Sequence, residues 1–200
     1  MICVYCLKKI EKYTLTSLFL EEDILCYKCR SLLKVNKKTI NIGSLKVETF
    51  YEYDGMFKNL LIQYKECYDE ALADVFLYML KDYLKLKYHG YKIMLVPSSE
   101  TKINARGFNH LELIFRSVGL NIVYGLKMKE ELVQEGKNLR ERELMLNNYI
   151  YDGPQLDKVL LVDDVITTGS SLTGAYRAIE NKANKIRTVS LAYKKKTLSF

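Results

Sequence analysis

The run Val159-Leu160-Leu161-Val162-Asp163-Asp164-Val165-Ile166-Thr167-Thr168-Gly169-Ser170-Ser171 constrains this chain more than any other segment. Four apolar residues in a row predict a strand buried on both faces, the kind found in parallel sheets covered by helices. Two carboxylates follow at its C-terminal end, where open α/β sheets bind ligands. The Thr-Thr-Gly-Ser-Ser turn then leads into a helical pattern. Such a turn can aim backbone N–H groups, hydroxyls and a helix N-terminus at one anion. Two acids beside a phosphate cradle suit a ligand that carries a phosphate and a diol or a metal. The plain alternative is a pair of strand-end acids that cap the next helix.

Strands and helical patterns alternate along the rest of the chain. Leu45 to Tyr53 alternates as a strand, which Asp54-Gly55 ends. Residues 56–66 predict a short helix. Residues 69–88 predict a longer one, with Leu72, Val75, Phe76, Met79, Leu80, Tyr83 and Leu84 at core spacing and Gly90 closing it. Ile93 to Val96 predicts a second buried strand, stopped by Pro97. A loop is expected from Pro97 to Asn109, then a helix from about His110 to Val118. Residues 130–148 are charged and poor in apolar side chains, as in an active-site loop or a surface excursion. A helix over about 171–182 and a strand from Ile186 to Ala192 complete the pattern. The fold class expected is α/β, a mostly parallel sheet flanked by helices. Residues 30–43 read as a polar link, so the expected division is 1–43 and 44–200.

The front segment has its own chemistry. Cys3-x-x-Cys6 is followed after 19 residues by Cys26-x-x-Cys29. That spacing matches a four-thiolate zinc site, whose tetrahedral ion would supply the stability a short segment lacks. Four protein ligands leave no open coordination position, so the zinc is expected to be structural. Two unrelated pairs or a redox dithiol are the other readings. The knuckles carry Tyr5, Lys8, Lys9, Tyr27, Lys28 and Arg30, a surface that suits either nucleic acid or plain solvent. Cys67 stands alone and reads as a partly buried small residue.

The net charge of +7 favours anionic partners, although a solvated lysine-rich surface has the same composition. Met1-Ile2-Cys3-Val4-Tyr5-Cys6 has neither the basic nor the apolar region of a secretory signal. No stretch approaches the roughly 18 apolar residues of a membrane span. A cytoplasmic protein is expected, where paired thiols bind metal more often than they form disulfides.

The Asp163–Ser171 run resembles the diphosphoribosyl-binding signature of type I phosphoribosyltransferases. The wider chain resembles one branch of that fold, the ComF (ComFC) competence proteins. The likeness includes the front knuckles, Tyr53-Asp54-Gly55 followed by Tyr64-Lys65, and Pro97 with Arg106-Gly107-Phe108-Asn109. Gln134, Arg140 and Arg142 extend it. The resemblance implies a type I phosphoribosyltransferase fold over 44–200 behind a zinc-binding module and linker over 1–43. It implies phosphoribosyl pyrophosphate with Mg²⁺ as ligand. Asp163 and Asp164 would be the catalytic acids, meeting ribose hydroxyls or metal-bound water. Thr167, Thr168, Gly169, Ser170 and Ser171 would hold the 5′-phosphate. Ser98, Ser99 and Arg106, with Lys102, would face the pyrophosphate. The 130–148 segment matches the place of the loop that covers such sites.

Several positions depart from the pattern. Hypoxanthine-guanine enzymes place an aspartate where Thr167 stands, so no general base is identified. His110 replaces a frequent Gln and is expected to bond backbone at a helix start. Met145 occupies the usual asparagine position, while Asn147 and Asn148 come later. The first functional expectation is a competence role in DNA uptake during natural transformation, with single-stranded DNA and a DNA-translocating helicase as partners. The alternative is an active phosphoribosyltransferase that releases pyrophosphate to an unknown acceptor. A third keeps the ligand as a sensed metabolite or stabiliser.

Overall fold

A computed structural model describes residues 1–10, 23–129 and 148–195. Its main sheet contains β1 (Lys38–Ile42), β2 (Leu45–Glu52), β3 (Lys92–Leu95), β4 (Ile122–Val123), β7 (Leu156–Ile166) and β8 (Ala183–Tyr193). The spatial order is β1-β2-β8-β7-β3-β4. Only the β1–β2 hairpin is antiparallel; the other neighbours run parallel. A separate antiparallel pair joins β5 (Leu126–Met128) to β6 (Tyr149–Tyr151). The mostly parallel α/β class is therefore as expected.

Strand β7 lies at the centre of this sheet, between β8 and β3. Val159, Leu160, Leu161 and Val162 have no exposed surface, as a run apolar on both faces requires. The α-helices among the described residues are α1 (Tyr27–Leu32), α2 (Gly55–Glu66), α3 (Lys81–Lys87), α4 (Glu100–Arg106), α5 (His110–Arg116) and α6 (Ser170–Ile179). The core runs without a break from Cys3, Leu25 and Leu33 into the sheet. Among the described residues no helix is long and apolar enough to cross a membrane.

Three segments differ from the sequence pattern. The helix expected over 69–88 is a 3-10 turn, Glu70–Val75, followed by irregular turns and the short α3. Val75, Phe76 and Leu77 are all fully buried, so this segment enters the core instead of presenting one face. The Tyr51 hydroxyl donates to the Phe76 carbonyl at 3.1 Å, and Leu80 N–H bonds back three residues to Leu77. The loop expected from Pro97 to Asn109 contains α4. Gly107, at φ +84°, ends that helix with its N–H on the Ile103 carbonyl, and Asn109 caps α5 through the N–H groups of Leu111 and Glu112. The polar link over 30–43 holds the end of α1 and the edge strand β1, whose five residues include only two apolar ones, Ile40 and Ile42.

Strand β2 binds α3 through a buried acid. Glu48 is 7% exposed. It accepts from Lys87 at 2.7 Å and Tyr83 at 2.6 Å, and also from Tyr88. Burial pushes its carboxyl up, but these donors dominate and hold it down at about 2.

Candidate ligand site

The sheet order creates a crevice. From β3 the chain passes through α4 and α5 to β4 on one side; from β7 it passes through α6 to β8 on the other. Connections that leave adjacent parallel strands in opposite directions open a gap at their C-terminal ends. Leu95 pairs with Val162, so Ser98-Ser99 and Asp163-Asp164 lie at that same end of the two strands.

The turn after β7 is tightly built. Gly169 has φ +79° and starts α6. A Cβ there would lie 2.5 Å from Ile42 Cδ1, so both conformation and space require glycine. Thr168 and Ser170 join their hydroxyls at 2.9 Å. Thr167, Thr168 and Ser171 are exposed, whereas Ser170 is half-buried. Ser171 also hydrogen-bonds Tyr149 of β6.

The two acids have different surroundings. Asp163 is half-buried and its Oδ1 accepts the Asp164 N–H at 2.9 Å. Part of its surface reaches solvent, yet crowding desolvates it and pushes its carboxyl up to about 7, against the pull of the Lys65 charge. Asp164 is 8% exposed. Its Oδ1 accepts the Val165 N–H at 2.6 Å, and its Oδ2 pairs with the Lys65 ammonium and with His110 Nε2 at 3.1 Å.

His110 thus corrects an expectation. Its ring meets Asp164, not backbone; its carbonyl accepts the Tyr64 hydroxyl at 2.8 Å. Burial, then the charges of Lys65, Arg106 and Lys102, lower its pKa to about 2, so the ring is neutral. An acceptor-only carboxylate facing Nε2 puts the proton there and leaves Nδ1, which is buried, without a partner among the described residues.

Around the acids the charge is positive. Arg106 Nε donates to the Lys65 carbonyl at 3.1 Å, and its buried Nη1 has no partner among the described residues. Desolvation lowers the Lys65 ammonium to about 8, aided by Arg106 and Lys102 and opposed by Asp163. Ser98 and Ser99 are half-buried at the start of α4. A cleft of about 300 Å³ is lined in part by Tyr53, Lys65, Asp164 and Thr167. The donor set suits Mg²⁺, which takes one or two carboxylates and completes its shell with substrate oxygens and water. Lys65 is the residue whose role sequence reasoning missed: it was visible only as half of Tyr64-Lys65. Gln134, Arg140, Arg142 and the rest of 130–147 lie outside the described residues.

The front cysteines come together as expected. The four Sγ atoms of Cys3, Cys6, Cys26 and Cys29 lie within 4.8 Å of one another. Each pair makes the same knuckle: Leu7 N–H bonds the Cys3 carbonyl and Arg30 N–H the Cys26 carbonyl, both at 2.9 Å. Cys6 and Cys26 are 3.7 Å apart. A tetrahedron with Zn–S bonds of about 2.3 Å has edges of about 3.8 Å, so the cluster fits a metal such as zinc. Cys67 is exposed, against the expectation of partial burial.

The competence protein ComFC of Streptococcus pneumoniae is 31% identical to this chain over 144 residues, covering 70% of the chain and 65% of that relative. The chain is similar to this competence protein over most of its own length. The match spans just under two thirds of the ComFC relative's length. No protein-family model matches. Solved hypoxanthine phosphoribosyltransferases overlap the ComFC-like chain partially. The one from Staphylococcus aureus is 12% identical, covering 66% of this chain and 68% of that chain, with a TM-score of 0.41. The one from Trypanosoma cruzi is 14% identical, covering 68% and 73%, with a TM-score of 0.40. The fold assignment rests on the strand order, not on overlaps of this size.

Proposed function

We propose that this chain binds phosphoribosyl pyrophosphate with Mg²⁺ at the β3–β7 crevice and serves single-stranded DNA uptake in natural transformation. One observation carries the ligand reading. The acid pair and hydroxyl-rich turn of β7 share a crevice with Lys65, Lys102 and Arg106. Thr167–Ser171 and the N-terminus of α6 take the 5′-phosphate. The acid pair at the end of β7 supplies the carboxylate that meets the ribose diol and Mg²⁺. When bound, Mg²⁺ supplies neutralisation of the pyrophosphate charge. Ser98, Ser99, Lys102 and Arg106 receive that group from the β3 side.

Zn²⁺ on the four thiolates is structural, because no coordination position stays open. Single-stranded DNA and a DNA-translocating helicase as partners, and a cytoplasmic location, are part of this proposal; the likeness to a competence protein and the net charge of +7, which favours contact with phosphates, support it.

Melting temperature tests the ligand. Phosphoribosyl pyrophosphate and Mg²⁺ together should raise it well above either alone, since a ligand that binds only the folded state stabilises it. No rise overturns the reading. Pyrophosphate release across a panel of bases and amines separates a transferase, which releases it, from a protein that only senses or is stabilised by the ligand.

A further inference from the structure

Successive side chains on a strand point to opposite faces. Asp163 and Asp164 are therefore aimed apart, and only Asp163 keeps an oxygen without a partner among the described residues. Both Asp164 oxygens are taken, by the Val165 N–H, the Lys65 ammonium and His110 Nε2. Asp163 Oδ2 accepts no hydrogen bond from another described residue, and the residue is half-buried. Mg²⁺ at Asp164 would have to displace an ammonium already inside the fold, which makes that carboxylate a poor donor.

The Tyr64-Lys65 pair grips three elements at once. Lys65 reaches β7 through Asp164, and its carbonyl accepts Arg106 Nε from the end of α4 at 3.1 Å. The Tyr64 hydroxyl bonds the first carbonyl of α5, on the residue whose ring also meets Asp164. A break at Asp164 therefore loosens both α2 and the cationic end of α4.

We propose that the two adjacent acids divide the work: Asp163 is the carboxylate that meets the ligand and its metal, whereas Asp164 is a positioning residue that locks Lys65, and through it Arg106, beside the anion. This inference rests on the ligand reading above and narrows it. The acid pair of the signature is then one donor and one anchor. The Lys65–Asp164 pair is neutral as a unit, so Lys102 and Arg106 supply the net positive charge around the anion.

Calorimetric titration of the full chain with phosphoribosyl pyrophosphate, repeated across Mg²⁺ concentrations, separates the roles. Asp163→Asn should abolish the dependence of affinity on Mg²⁺. Asp164→Asn and Lys65→Met should each keep that dependence while weakening affinity by about tenfold. The Lys65→Met/Asp164→Asn double variant should be no weaker than the weaker single, because the two act as one unit. Lys65→Arg keeps the ion pair and should retain the wild-type Mg²⁺ dependence and affinity. Melting curves identify any variant that fails to fold; should Asp164→Asn do so, Lys65→Met and Lys65→Arg decide. Loss of Mg²⁺ dependence in Asp164→Asn or Lys65→Met, or additive losses in the double variant, overturns the division. A wild type that binds no ligand overturns the site itself.

Discussion

Ile42, the last residue of β1, packs so closely on Gly169 that a Cβ there would sit 2.5 Å from Ile42 Cδ1 and 2.8 Å from Cγ2. The edge strand thereby buttresses the turn proposed to hold phosphate. Gly169→Ala adds a contact the space does not admit and places alanine at φ +79°. The expected loss is about 2 kcal/mol of stability, read from denaturant midpoints at unchanged m-value. Adding Ile42→Ala should recover the steric part and leave the conformational part. No change in midpoint in the single variant would contradict the close approach.

Acid should unfold the protein partly through Glu48. Its folded pKa of about 2 lies below the ordinary carboxyl value of 4.5. A depressed carboxylate contributes stability above its unfolded pKa, and loses it as pH falls through the folded one. Glu48 should therefore contribute about 3 kcal/mol at neutral pH, fading between pH 4.5 and 2. Glu48→Gln should be less stable than wild type at pH 7 and show a flatter acid limb. Parallel curves from pH 7 to pH 2 would remove this role.

Metal analysis should find one zinc per chain, lost in Cys29→Ser. The cysteine module shares an unbroken core with the sheet through Leu25 and Leu33. Chelation should therefore lower the melting temperature of the main transition, not of a separate minor one. A metal-free protein with an unchanged melting curve would contradict the structural assignment.

Binding to single-stranded DNA should weaken steeply with salt, because lysines that neutralise phosphates release counterions. Raising salt from about 50 to about 200 mM should cost at least tenfold in affinity. Affinity that does not change over this range would exclude an electrostatic interface.

The legible part of the fold was the part with simple patterns. Val159–Val162 announced a buried strand, and the cysteine spacing brought four thiols together. Edge strand β1 was hidden because one face of Lys38–Ile42 is solvated and its residues are mostly polar. The turns over 70–80 were hidden because tertiary contacts, such as Tyr51 with the Phe76 carbonyl, override local helical spacing. Helix α4 had signals at Ser99 and Gly107 that its scarcity of apolar residues outweighed. At the site, periodicity located Asp163 and Asp164 but not their different partners. Lys65 lies 99 positions from Asp164, and no local pattern records such a pairing.

The most direct test of the account is calorimetric binding of phosphoribosyl pyrophosphate in Mg²⁺ by the wild type and by Asp163→Asn. The account predicts saturable binding of one ligand per chain that disappears when Mg²⁺ is removed, and a variant indifferent to Mg²⁺. A wild type with no binding heat, or a variant with the same Mg²⁺-dependent affinity as the wild type, would contradict it.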